Sequence, residues 1–195
     1  MKALVVFCHP SAESFAAECR DRVLAGLRAG GHEVRLRDLY VEGFRPELSA
    51  WEREHQFSPA EDKPDIADHA ADLRWCDTLV LVYPTWFSAQ PAMLKGWIDR
   101  VWVNGVAYDL PEGSHRIRGR LRNIRRIVVV TTHGSSKFVN SLQGESGKRV
   151  VSRGLRLLCH RFARVRWIAL YGIDRCTDAE RRAFLDKVEQ RLTAP

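Results

Sequence analysis

Five largely apolar runs, separated by amphipathic segments, predict a doubly wound α/β domain with a five-stranded parallel sheet and helices on both faces. Three observations carry this. Lys2–Phe7, Thr78–Val82 and Ile127–Thr132 are β-branched, mostly apolar runs, which suits strands buried on both faces of a parallel sheet. The segments between them repeat apolar residues at helical spacing. Helix-stop glycines and capping residues fall at the junctions. Right-handed crossovers allow the strand order 2-1-3-4-5. The 195 residues suffice for one domain spanning 1–195, with a core that needs no disulfide or metal.

After the first strand, His9-Pro-Ser-Ala-Glu-Ser-Phe15 reads as a loop. A helix then runs to Arg28, with Phe15, Cys19, Val23, Leu24 and Leu27 inward and Gly30-Gly31 as its stop. A strand feeding a helix N-terminus is where phosphate binds, because unpaired amides and the helix dipole point there. Ser11 and Ser14 add hydroxyls and His9 a ring donor. By itself the loop leaves His9 open between ligand and structural cap, and it lacks the glycine pattern of dinucleotide or P-loop sites.

Glu33–Arg37 reads as a sheet-edge strand, polar on one face. Tyr40–Pro64 has no sustained period, apart from a capping-box pattern at Ser58-Pro-Ala-Glu61 that predicts a short helix. Ile66–Trp75 reads as a helix with Ile66, Ala70 and Leu73 inward. Asn104–Asn123, with Gly105, Pro111, Gly113 and Gly119, reads as a loop. Gly147–Ala163 reads as a basic amphipathic helix with Val150, Val151, Leu155, Leu158 and Phe162 on its apolar side. Val165–Tyr171 is the fifth strand, and Thr177-Asp-Ala-Glu180 opens the last helix with a capping box.

The most informative stretch follows the third strand. Pro84 ends that strand, having no N–H for the ladder. Thr85–Gln90 is a loop carrying Trp86-Phe87. Pro91 suits a helix's first turn, and Met93, Leu94, Trp97, Ile98, Val101 and Trp102 repeat at helical spacing behind it. Open parallel sheets bind ligands at this carboxyl edge. Backbone amides of the loop can bond a planar heterocycle while Trp86 and Phe87 pack on it.

The run Pro84-Thr-Trp-Phe, then Pro91-Ala-Met-Leu-Lys-Gly-Trp-Ile-Asp-Arg-Val101, resembles the signature of the NAD(P)H:quinone oxidoreductase family of flavodoxin-like flavoproteins. The resemblance covers nearly the whole chain and is weakest in Tyr40–Pro64. It implies a flavodoxin-like fold and an FMN or FAD cofactor, FMN being favoured by the short chain. Hydride would come from NADPH or NADH and pass to a quinone by a ping-pong route. His9, Ser11, Ser14 and Phe15 match the family's flavin phosphate loop. Pro84, Thr85, Trp86 and Phe87 match one ring-binding segment, with amides of Trp86 and Phe87 facing the ring. Thr131, Thr132, His133 and Gly134 match the other, although the family's usual first glycine is His133 here. Tyr108, in Val-Ala-Tyr-Asp, matches a tyrosine that crosses a homodimer interface; as a residue it reads equally well as a loop anchor. Asn140 and Ser146 stand where the animal members have a tyrosine and a histidine that assist proton transfer. That role is therefore not carried over, and Tyr108, His133 or water are the candidate proton donors.

The formal net charge is +7. Its excess falls in 116–126 and 148–166, while acidic residues gather in Glu42–Asp77. A basic surface attracts nucleic acid, anionic lipid or a phosphate-bearing cofactor. No nucleic-acid motif accompanies it, so solvated faces or contacts to NADPH are expected instead. Cys8, Cys19, Cys76, Cys159 and Cys176 have no framework spacing, as expected of reduced thiols with no metal site. No leader-like stretch or membrane-length apolar window is read, so a cytoplasmic protein without stable membrane insertion is expected. Alternatives to the enzyme are a flavodoxin-type electron carrier and an ancillary regulatory subunit of a potassium efflux system.

Overall fold

The structure, a computed structural model, describes residues 1–110 and 116–193. The expected loop breakers Pro111 and Gly113 lie outside the described residues.

Five parallel strands form the main sheet: β1 (Lys2–Phe7), β2 (Glu33–Asp38), β3 (Thr78–Pro84), β6 (Arg126–His133) and β7 (Arg164–Tyr171). Between β3 and β6, a two-stranded antiparallel ribbon joins β4 (Tyr108–Asp109) to β5 (Arg118–Gly119). The sheet runs β2-β1-β3-β6-β7, the order predicted from the sequence. The register aligns the carboxyl ends: Phe7 pairs with Val82, Tyr83 with Thr131, and Pro84 with Thr132.

The three apolar runs occupy the centre of the sheet because they have two hydrophobic faces to bury. On one face Ala3, Val5, Phe7, Val80, Val82, Val128 and Val130 meet α1 (Phe15–Ala29) and α8 (Asp178–Thr193). On the other, Leu4, Val6, Leu79, Leu81, Ile127 and Val129 meet α3 (Pro64–Trp75), α4 (Ala92–Val101) and a helix that starts at Ser146. Each such side chain contributes about 1.5–3 kcal/mol on leaving water.

In α4, Leu94, Trp97, Ile98 and Val101 are buried as their spacing predicts. Pro91 itself is the N-cap, in extended conformation, with Ala92 the first helical residue. Gly96 has a packing reason. A Cβ there would overlap the backbone and ring of Pro46, so the irregular segment lies directly on α4.

Two expectations are corrected. Ser58 caps nothing: the short 3₁₀ turn Ala60–Asp62 has Pro59 at its N-cap and no side-chain cap bond. The capping box in this region is Ser49-Ala-Trp-Glu52 instead, opening α2 (Ala50–Glu54). The second concerns the basic helix. It comprises α6 (Ser146–Arg149), a π-helical stretch Val150–Leu155 and α7 (Arg156–Leu158), and it stops at Leu158 rather than Ala163. Cys159–Ala163 is a turn closed by Ala163 N–H to the His160 carbonyl, 2.7 Å. That turn leaves Phe162 exposed. The helical period of the sequence runs on across a turn that carries no glycine or proline.

Cys8, Cys19, Cys76 and Cys159 are buried, and burial pushes each thiol up to about 12. They are small core hydrophobes in their reduced form.

Candidate functional site at the carboxyl rim of the sheet

Strand β1 sends its crossover to one side of the sheet while β3 lies on the other, so a crevice opens at their carboxyl ends. Three segments meet at this edge: the loop after β1, the loop after β3 and the end of β6.

The first segment is organised by Ser14, the N-cap of α1. Its Oγ accepts from Ala17 N–H at 3.2 Å and donates to the Ser11 carbonyl at 2.9 Å. The Ser14 hydroxyl proton is thus engaged, so this residue shapes the loop rather than offering a free hydroxyl. His9 Nδ1 lies 3.0 Å from the Ser11 amide and 3.1 Å from the Ser11 carbonyl; with Nδ1 accepting from the amide, the ring proton sits on Nε2. Ser11 Oγ accepts from Glu13 N–H at 3.3 Å and keeps its own proton. The first amides of α1, those of Phe15 and Ala16, precede the intrahelical ladder. Amides, a hydroxyl and an imidazole N–H therefore converge at a helix N-terminus, a donor set that fits a phosphate. Phe15 itself turns inward, 6.2 Å from the ring of Phe184. Glu13 is exposed.

The second segment is a tight hairpin. Trp86 N–H bonds Ala89 O at 3.2 Å and Ala89 N–H returns to Trp86 O at 3.1 Å. The two central residues both have positive φ, 48° at Phe87 and 60° at Ser88, the mark of a type I′ turn. Neither residue favours that region, and the cost is about 1–2 kcal/mol each. Anchors hold it. The Ser88 carbonyl accepts from Ser146 Oγ at 3.0 Å and from Gly147 N–H at 3.3 Å. Buried Gln90 donates to the Gly147 carbonyl at 2.8 Å. Gly147 permits the approach, since a Cβ there would sit 3.2 Å from Ala89 Cα. The result is a fully exposed Phe87 and a Trp86 that is 42% exposed, aromatic surface held out over the rim. The Trp86 amide is already bonded within the turn, so of the two expected ring-facing amides the hairpin engages that of Trp86.

The third segment meets the second. Thr85 N–H and Oγ1 both donate to the Thr132 carbonyl, at 2.9 and 3.0 Å. Thr85 Oγ1 also meets His133 Nδ1 at 3.2 Å, the direction of that bond following the ring tautomer. The His133 ring stacks on Tyr171, 4.5 Å between centroids and 13° between planes. It is 5% exposed, and its Nε2 has no hydrogen-bond partner. Burial pushes this imidazole below its ordinary value. The ring is held through Nδ1, and its Nε2 is the nitrogen without a partner among the described residues. Thr131 Oγ1 is a second buried polar atom without a partner. At Gly134 a Cβ would stand 2.9 Å from Asp174 Oδ2.

Asn140 and Ser146 hold the loops. Asn140 Nδ2 donates to Ser135 Oγ at 2.8 Å and to the Ser136 carbonyl at 2.9 Å, fixing the turn after β6. Ser146, as noted, ties the hairpin.

Tyr108 is not brought to this rim. It lines a cavity of about 190 Å³ with Leu48, Glu52, Gln56, Lys63 and Arg100, and no hydrogen bond or ring contact among the described residues joins it to His133 or Trp86. A larger cavity of about 400 Å³ beside α2 is lined by Arg45, Trp51, Glu52, Asp65 and Arg100. It holds a buried ion pair, Arg100 with Glu52 at 2.8 Å, which pins α2 to α4. Sequence reading missed Glu52, Gln90, Arg100 and Gly147. The Ser49–Glu52 box was a readable signal for the first; nothing local marks the others.

The sheet order, the amide-rich helix start and the aromatic hairpin define a flavodoxin-like α/β protein. The chain belongs to the family described as flavodoxin-like fold, which it matches over residues 1–192. It is 36% identical over 106 residues to an uncharacterized NAD(P)H oxidoreductase, YcaK, of Escherichia coli, covering 53% of this chain and 54% of that one. It is 30% identical over 162 residues to rat NAD(P)H dehydrogenase [quinone] 1, covering 75% and 58%. The chain thus spans little more than half the length of either relative. Among solved structures it resembles Smu.1420 from Streptococcus mutans, with TM-score 0.86, 31% identity and full coverage of both chains. It also resembles an NAD(P)H:quinone oxidoreductase from Methanothermobacter marburgensis, with TM-score 0.83, 28% identity and coverage of 100% and 98%.

Proposed function

We propose that this chain is a flavin-dependent oxidoreductase that takes electrons from NADH or NADPH and delivers them to a quinone or similar aromatic acceptor. The observation that carries the reading is the hairpin Trp86–Ala89. A type I′ turn with phenylalanine and serine at its strained positions is held by three hydrogen bonds from Ser146, Gly147 and Gln90. Strain of this kind persists where the surroundings over-determine it, and it clusters at ligand sites. Here it displays aromatic surface beside a phosphate-type helix start. The names of the relatives agree with this reading.

The residues present fit a flavin. His9, Ser11 and the Phe15 and Ala16 amides would hold its phosphate. Thr85, Trp86 and Phe87 on one side and Thr131, Thr132, His133 and Gly134 on the other would hold its ring. Bound there, the flavin supplies hydride acceptance and donation. The protein's own contribution is positioning. Thr85 holds the His133 ring through Nδ1, and the unpartnered Thr131 hydroxyl and His133 Nε2 are polar groups that a ligand atom or a water could meet. The proton that completes acceptor reduction comes from His133, from water or from Tyr108 of a second subunit in a homodimer. FMN is the cofactor expected first and FAD the alternative.

The test is direct. Purified protein is expected to bind added flavin, turn yellow and oxidise NADH or NADPH with a quinone. Mass spectrometry of the released flavin identifies it. A colourless protein that takes up neither flavin and oxidises neither nucleotide refutes the reading.

A further inference from the structure

We propose that the outer edge of β7 is a docking edge for an extended acidic peptide segment, which adds to the sheet as a further strand. This inference is independent of the oxidoreductase reading.

Among the described residues strand β7 ends the sheet, with β6 its sole partner. A groove of about 310 Å³ lies against it, lined by the successive residues Arg166, Trp167, Ile168 and Ala169. Successive strand residues point to opposite faces. Here Ile168 enters one core and Trp167 packs on the other. A cavity touching all four therefore lies against the strand's open edge, where backbone amides and carbonyls are unpaired. Beneath it, the Trp167 indole N–H is buried without an acceptor.

Cations rail this edge on both sides. Lys137 and Lys148 border the groove from the segments after β6, and Lys187 and Arg191 border it from α8 on the opposite face. Lys148 is paired with Glu145 at 2.9 Å. Lys137, Lys187 and Arg191 form no ion pair among the described residues. Arg166 donates to the Arg191 carbonyl at 3.2 Å and adds its charge. Between residues 115 and 173 the sequence holds one carboxylate, Glu145.

Cations along an edge strand discourage self-association. A second copy of this edge would set lysine and arginine against lysine and arginine. An acidic strand meets the reverse: its backbone completes the ladder, and its alternating carboxylates reach Lys137 and Lys148 on one face and Lys187 and Arg191 on the other. Backbone pairing gives affinity and the flanking side chains give choice of partner.

The probe is a labelled peptide, acetyl-Thr-Glu-Val-Glu-Glu-Val-Glu-Thr-amide, titrated into the full chain by fluorescence anisotropy. Saturable binding is expected, with slowed hydrogen exchange at β7 amides. N-methylation of alternate peptide amides removes the ladder donors and keeps the charge; it is expected to weaken binding roughly tenfold or more. Lys187→Glu combined with Arg191→Glu is expected to weaken it by a similar factor, with NAD(P)H oxidation unchanged. Should that variant misfold by circular dichroism, Lys137→Glu tests the opposite rail. Equal binding of the N-methylated peptide, protection confined to another surface, or tighter binding of duplex DNA to the same residues would overturn the proposal.

Discussion

His69 makes the fold sensitive to acid in a way that can be worked out in advance. Its ring is walled in α3, edge-on to Phe44 at 5.2 Å. Nδ1 accepts from the Trp97 indole N–H at 3.2 Å, and Nε2 lies 3.5 Å from Glu42 Oε2. Protonating Nδ1 would set one donor against another. Burial is the largest influence, followed by Arg37, with Arg100 adding to it; Asp72 and Asp68 oppose them. The result is an imidazole lowered from 6.5 to about 4. The folded state therefore favours the neutral ring. Its contribution is complete above the ordinary value and is lost as pH falls toward about 4. A shift of this size corresponds to about 3 kcal/mol in all, roughly 2 of it lost by about pH 5. His69→Asn keeps an acceptor near the Nδ1 position and does not titrate. Urea denaturation of both proteins between about pH 7 and pH 4.5 should give a wild-type stability that falls more steeply, by up to ~1.4 kcal/mol per pH unit. Parallel pH profiles would refute the account, since every other group is common to both proteins.

Three further outcomes are expected. Thr85→Val keeps shape and the backbone bond to Thr132 but leaves buried His133 Nδ1 without its hydroxyl partner; a loss of about 1–3 kcal/mol in denaturant titration is expected, with flavin affinity falling alongside. Ser14→Asp keeps an acceptor for the Ala17 amide but loses the hydroxyl bond to the Ser11 carbonyl, so stability should fall by about 0.5–1.5 kcal/mol, while a carboxylate at the phosphate end should weaken flavin binding by roughly tenfold or more; unchanged flavin affinity would place the phosphate elsewhere. Gly96→Ala forces a methyl into Pro46, and overpacking of about 1–3 kcal/mol should lower Tm by several degrees in differential scanning calorimetry.

The central strands were legible because their residues leave no choice. Val80–Val82 and Val128–Val130 are apolar on consecutive positions, so both faces must be covered, and only a parallel sheet between helix layers does that. Helix α1 was equally plain, with Ser14 before it and Gly30 after it. The Trp86-Phe87 loop could be located at a strand end, and local pattern together with the family resemblance named the rim segments. The error at Cys159–Ala163 arose where Val150, Leu155 and Leu158 continue a period that Phe162 matches by coincidence.

What the sequence by itself determined is the layer plan and the identity of the three rim segments, because periodicity and capping are written in neighbouring residues. Only the tertiary structure decided how those segments hold one another. Thr85 meets the ring of His133, 48 residues away, and Ser146 and Gly147 hold Ser88 in a strained turn. Gly96 admits Pro46, and Gln90 reaches Gly147. These are contacts between residues distant in the chain, set by distances of a few tenths of an ångström, and no local pattern encodes which hydroxyl, carbonyl or missing side chain will face which.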